Sequence, residues 1–125
     1  MTTINLTYFN INEFDSPDEF NSGLNMNTNF LQKLDQARRK SGVPYVIESG
    51  FRTQSHNKKV GGKSDSSHLK GHAVDIRIMN STQRYATLKG LFLVGFSRIG
   101  IGKNFIHVDD DSEKAMKVVW LYDKK

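Results

Sequence analysis

The stretch Ser66-Ser67-His68-Leu69-Lys70-Gly71-His72-Ala73-Val74-Asp75 and the later Phe105-Ile106-His107-Val108-Asp109 carry the residue types best suited to chemistry. His68, Asp75 and His107 offer two imidazoles and one carboxylate to a single metal ion. Two nitrogens and one oxygen leave a fourth position for water, which is the donor set of a catalytic zinc site rather than a closed structural one. There is no cysteine, so disulfides and thiolate zinc sites are excluded. Any metal must be held by His, Asp or Glu. These ligand types also accept other divalent ions.

The elements that would position these residues can be read from alternation and capping. Ala73 to Ile78 reads as a strand, with Ala73, Asp75 and Arg77 on one face and Val74, Ile76 and Ile78 on the other. Asn104 to Val108 reads as a second, with Phe105, His107 and Asp109 sharing a face. Ser97 to Ile101 precedes it, joined through Gly102-Lys103 as a tight hairpin. Ile4 to Phe9, Pro44 to Ile47 and Met116 to Leu121 read as further strands. Phe14 to Gly23 is rich in Asp, Asn, Ser and Pro and reads as loop. Thr28 is placed to cap a helix running to about Lys40, with Phe30, Leu31, Leu34, Ala37 and Arg38 as its apolar stripe and Ser41-Gly42 as its stop. A short helix ends at Lys59, and Val60 to Asp65 is a glycine-rich loop without phosphate-loop register. Ser81 to Val94 reads as a helix with Tyr85, Leu88, Leu91 and Phe92 inward. The expected fold is α+β, a single domain over residues 1–125. A mainly antiparallel sheet carries helices on one face and the zinc site on the sheet.

A single histidine is ordinarily a surface or hydrogen-bonded residue. What sets this group apart is that acidic residues stand mid-strand beside apolar neighbours, against β-propensity. Local rules broken at several places that can converge mark a functional site. His72 follows His68 by four residues, but Gly71 and the start of a strand argue against a helical metal pair, so His72 is expected at the pocket rim as a substrate contact. His56, among Gln54, Ser55, Asn57 and Lys58, is expected on a solvated helix face. Arg52 follows an apolar strand and Ser49-Gly50, where an active-site loop often begins. Its guanidinium can bind a carboxylate through two hydrogen bonds or stabilise an oxyanion.

Composition narrows the class. At 125 residues, 37% hydrophobic and 25% charged, the chain is an ordinary globule. Its net charge of +5 suits an anionic partner such as nucleic acid, a membrane or bacterial cell wall. The basic residues are dispersed rather than striped with aromatics, so nucleic acid is not expected. No run approaches the ~20 apolar residues of a membrane span. Met1 to Asn5 has neither a basic nor an apolar leader region. Synthesis in a cytoplasm is expected, with action elsewhere requiring separate release.

The motifs together resemble the zinc D-Ala-D-Ala carboxypeptidase family. This family sits within the lysostaphin, D-Ala-D-Ala carboxypeptidase and hedgehog-type metallopeptidase superfamily. The pattern S-x-H-x-x-G-x-A-x-D is met by Ser66, His68, Gly71, Ala73 and Asp75. Upstream, S-G-x-R is met by Ser49, Gly50 and Arg52, followed by Asn57 and Val60-Gly61-Gly62. Downstream, G-F-x-R-I-G-I and F-I-H-V-D are met at Gly95 to Ile101 and Phe105 to Asp109. The opening Glu13-Phe14-Asp15-Ser16 is similar to small phage-encoded members. The resemblance implies one zinc ion on His68, Asp75 and His107, Arg52 beside the scissile bond and Ser66 in support. It implies peptidoglycan stem peptide as substrate, cut after D-Ala by an endopeptidase or carboxypeptidase. The small, phage-like single domain favours a lytic endopeptidase, a phage endolysin, and a monomer is expected.

One position departs from the superfamily pattern. Members often place Glu or His shortly before the last ligand as general base, where this chain has Asn104 and Phe105. Neither accepts a proton. Asp109, on the strand face of His107, is the candidate base, with Asp110, Glu48 and His72 as alternatives. The same gap admits a reading from another class, a non-catalytic wall-binding or virion module that keeps the metal.

Overall fold

Strands that alternate apolar and polar residues can bury one face only, and such strands form the centre of a five-stranded sheet here. The computed structural model describes residues 5–122. Its strands are β1 (Ile47–Ser49), β2 (Ala73–Arg77), β3 (Arg98–Ile101), β4 (Phe105–Asp109) and β5 (Val118–Leu121). They lie in the order β1-β2-β4-β3-β5. All neighbours are antiparallel except β3 and β5, which run parallel. The helices are α1 (Thr28–Ser41), α2 (Gln54–Lys59) and α3 (Ser81–Leu93).

The aliphatic set of each central strand points to one side. Val74, Ile76, Ile99, Ile106 and Val108 form the core with Phe30, Leu31, Leu34 and Ala37 of α1 and Leu91 of α3. Full burial of such a side chain contributes about 1.5–3 kcal/mol, so this layer dominates the stability of the fold. The opposite face of the sheet is left to Asp75, Arg98, Gly100, His107, Asp109 and Trp120. The expected α+β arrangement is therefore the observed one.

Several local expectations differ. Leu6 to Phe9 forms no strand (Ile4 lies outside the described residues). The amides of Thr7 and Tyr8 donate instead to the Asp35 carboxylate of α1 at 3.0 and 2.9 Å, which removes the need for a strand partner. The helix cap is Asn27 rather than Thr28, its side chain accepting from the Phe30 amide at 2.9 Å. The loop expected from Phe14 to Gly23 contains the end of one short 3-10 turn, Ile11–Phe14, and the start of another, Ser22–Asn25. Its first residue, Phe14, is fully buried. On α3, Tyr85 and Phe92 are exposed, while Thr87, Gly90 and Leu91 face inward. The close approach of α1 explains this. A side chain at Gly90 would run into Ser41 and the Ala37 carbonyl. The β3–β4 connection is Gly102 to Asn104, one residue longer than a two-residue turn, and is closed by the Gly102 amide donating to the Phe105 carbonyl at 2.9 Å.

Candidate metal centre

Register brings the chemistry together. Ser49 lies opposite Asp75, Asp75 opposite His107, His107 opposite Gly100, and Gly100 opposite Trp120. One row thus crosses all five strands on the face away from the core layer of α1 and α3. His68 enters from the 3-10 turn Ser67–Lys70, which precedes β2. Ser66 caps that turn, its hydroxyl accepting from the His68 amide at 3.2 Å. Gly71 ends it with φ +74, a left-handed conformation, while packed against the backbone of Asn25 and Met26. A side chain there would be both strained and obstructed.

His68, Asp75 and His107 each present one donor atom, and these atoms lie within 4.8 Å of one another. His107 Nδ1 is 2.9 Å and His68 Nε2 3.4 Å from Asp75 Oδ1. Both rings are almost fully buried. The outer nitrogen of each ring is already engaged. His68 Nδ1 is 2.8 Å from the Gly50 carbonyl, an acceptor only, so that nitrogen carries the proton and Nε2 is left to face the cluster. His107 Nε2 is 2.6 Å from Asp109 Oδ2. Such outer partners fix the ring orientation and tautomer of a metal-binding histidine. The three residues therefore fit a divalent ion by donor type, convergence and outer support.

Charge around the cluster is balanced by pairing. Burial pushes the Asp75 carboxyl up, but hydrogen bonds from His107 and His68 outweigh it and hold the group well below the usual carboxylate range. For His107, burial favours the neutral ring, yet hydrogen bonds to Asp109 and Asp75 prevail and raise its pKa. Burial likewise opposes ionisation of Asp109, and His107 and Arg98 overcome it.

The other expected residues divide. Arg52 reaches the site: Nη2 lies 3.6 Å from Asp75 Oδ2, while Nε and Nη1 donate to Ser49 and Asn57. Ser66 joins it in lining a cleft of about 670 Å³ that opens over the cluster. His72 does not reach the rim suggested by the sequence. It shares the parity of Val74 and Ile76, so it falls on the helix side, 2.7 Å from Asp110 and edge-on to Phe30. Glu48 pairs with Arg77 on the surface. Asp109 is 1% exposed, and both oxygens are taken, Oδ1 by Arg98 Nε at 2.7 Å and the Asp111 amide, Oδ2 by His107. A carboxylate so committed is built to orient His107 and is poorly placed to collect a proton.

Sequence reasoning missed Arg98, Trp120 and Tyr122, which also line the cleft. Alternation in β3 places Arg98 and Gly100 on one face and Ile99 and Ile101 on the other, which was the available signal. It also missed Asp111, a buried anchor behind the His68 turn. Asp111 accepts from Ser67 Oγ at 2.7 Å and Lys70 Nζ at 2.9 Å. Burial raises its pKa, but Lys70 and Ser67 more than compensate and bring it down to about 2. A depressed carboxyl contributes stability above its unfolded value near 3.8, and this is lost as pH falls towards 2. Allowing for the part-exposed lysine, the contribution is on the order of 1 kcal/mol. Asp111→Asn is expected to flatten the fall in Tm between pH 4 and pH 2 (about the two pKa values) relative to the parent. Parallel Tm curves for the two proteins would contradict this.

Among the described residues no helix is long and apolar enough to cross a membrane. No curated protein matches the chain. A family model described as Peptidase M15 matches residues 7–109, a span that contains His68, Asp75 and His107. With the match spanning most of its length, the chain belongs to the Peptidase M15 family, that of the zinc D-Ala-D-Ala carboxypeptidases its motifs resemble.

Proposed function

We propose that this metallopeptidase-family chain is a zinc-dependent peptidoglycan peptidase. It would act as one domain and as a monomer, cutting stem peptides after D-Ala as an endopeptidase or carboxypeptidase of the phage endolysin kind. The observation that carries the reading is the convergence of His68, Asp75 and His107 at the floor of an open cleft. Zinc held there supplies acidified water and polarisation of the scissile carbonyl. The chain's own residues do the rest. Arg52, tied to Ser49 and Asn57, holds its guanidinium at the edge of the cluster, where it can steady a carboxylate or a developing oxyanion. Asp109 orients His107. Incubation of zinc-loaded protein with purified muropeptides tests the activity. Monomers from cross-linked dimers identify an endopeptidase, released D-Ala a carboxypeptidase, and intact muropeptides at full zinc occupancy overturn the proposal.

One observation favours the second reading, a wall-binding or virion module without catalysis. The carboxylates weighed as general base are all engaged: Asp109 with Arg98 and His107, Asp110 with His72, and Glu48 with Arg77. Asp109→Asn separates the roles. As an orienting residue it is expected to weaken zinc binding about 10–100-fold and to keep turnover at saturating zinc. A fall in turnover at full occupancy would instead make Asp109 the base.

The raised pKa of His107 gives a further expectation. In the metal-free protein the ring lies between two carboxylates; burial opposes its charge, but hydrogen bonds to Asp109 and Asp75 outweigh burial and favour the protonated ring. Loading the Nδ1 edge must displace a proton bound there. Zinc uptake is therefore expected to release a proton and to tighten as pH rises towards the raised pKa. Calorimetry in two buffers of different ionisation heat measures the release, and identical heats would refute it.

A further inference from the structure

The guanidinium of Arg98 is held at three points, more than a plain ion pair requires. Nε donates to Asp109 Oδ1 at 2.7 Å. Nη1 donates to the Ala115 carbonyl at 2.5 Å. The indole of Trp120 covers its face, with the guanidinium carbon 5.0 Å from the ring centre. Arg98 is nearly buried and stands directly across the strand pair from Asp109. Two of its three anchors, Ala115 and Trp120, lie beyond residue 109, where the family match ends.

We infer that Arg98, clamped by the segment 115–122, is a positioning residue for the metal centre: it aims Asp109, and through Asp109 it fixes which edge of His107 faces the cluster. The inference rests on the metal-site reading above. An imidazole can spin about its bond to Cβ, and two hydrogen bonds on opposite edges stop it. One runs from Nδ1 to Asp75 and the other from Nε2 to Asp109. Asp109 can serve as a fixed stop only if it cannot swing. Its Oδ1 is pinned by Arg98 and the Asp111 amide, which leaves Oδ2 aimed at His107. A planar guanidinium suits this task because its donors keep a rigid angle while its face stacks on an aromatic ring. A lysine can offer charge to Asp109 but cannot also bridge to Ala115 in one plane. Trp120 closes the arrangement by packing against the His107 ring as well, at 5.6 Å between centroids.

The test uses the full chain. Arg98→Met, Arg98→Lys and Trp120→Leu are compared with the parent by three measurements: thermal unfolding, zinc affinity by chelator competition, and the His107 Nε2–H resonance in the zinc-free protein. Arg98→Met is expected to weaken zinc about tenfold or more and to lose the slowly exchanging Nε2–H signal. Arg98→Lys is expected to recover part of both. Trp120→Leu keeps the ion pair and is expected to weaken zinc several-fold, which keeps the test open if Arg98→Met fails to fold. The exposed Arg77→Met serves as control and is expected to change neither readout. A merely structural role would lower Tm and leave the ring signal and zinc affinity as they were, and a folded Arg98→Met or Trp120→Leu with that behaviour would overturn the inference. Intact muropeptides with a zinc-loaded parent would remove the proposed activity while leaving this inference standing. A parent chain that binds no zinc would remove both.

Discussion

Asp75→Asn is expected to strip the protein of stoichiometric zinc and reduce peptide hydrolysis to background. The carboxylate sits at the centre of the cluster, approached by His107, His68 and Arg52 at 2.9, 3.4 and 3.6 Å. Burial pushes its pKa up, but hydrogen bonds from His107 and His68 hold it well below the usual carboxylate range, which suits it as an anionic ligand. An amide keeps the shape, but it loses the charge and can offer the ion only a neutral oxygen. This variant is also the cleanest of the three ligand changes. The two rings are nearly buried, so His68→Ala or His107→Ala also leaves a cavity and mixes metal loss with destabilisation. Asp75 lies on the cleft face of β2, while the flanking Val74 and Ile76 keep the core filled. The fold should therefore survive. Metal analysis after dialysis against equimolar zinc reads the result, with circular dichroism confirming the native state. A folded Asp75→Asn protein that keeps full zinc would end the ligand assignment.

Part of this site was legible because a strand has a period of two. Alternation alone put Asp75 on one face of β2 and His107 with Asp109 on one face of β4. The pairing order was not legible. Nothing local to Ala73–Arg77 says that β4 rather than β3 lies beside it, or that β5 returns parallel to β3. Asp109 shows the consequence. Read alone, an acid two residues beyond a ligand looks available as a base; placed opposite Arg98, it is occupied. The same kind of long-range partner misled at Thr7 and Tyr8, whose strand-like alternation is overridden by Asp35 in α1. On α3 the apolar period pointed to Tyr85 and Phe92, but the contact with α1 selects small residues such as Gly90 over large ones. Local periodicity reports which faces differ, and packing decides which face is buried.

Gly100→Ala is expected to lower stability by about 1–2 kcal/mol and to weaken zinc binding together with it. Glycine within a strand ordinarily costs about 0.5–1 kcal/mol relative to alanine, so on backbone grounds the change should help. Overpacking opposes it at about 1–3 kcal/mol. At this position packing wins, because an added Cβ would lie 2.6 Å from the Tyr122 ring and 2.7 Å from the Trp120 indole. Gly100 is the one residue of the site row whose missing side chain lets both aromatic rings fold back over β3. Tyr122 thereby reaches Phe105, and Trp120 reaches His107 and Arg98. Displacing the indole loosens the clamp on Arg98 and uncovers the His107 ring, so the steric effect and the metal effect should appear in the same variant. Trp120 is the sole tryptophan of the chain, which makes its fluorescence a direct reporter of the displacement. A red-shifted emission maximum is expected alongside a Tm several degrees lower. An unchanged emission maximum with equal or higher Tm would show that the aromatic wall yields without cost, and would leave the glycine at position 100 without a role in holding the centre.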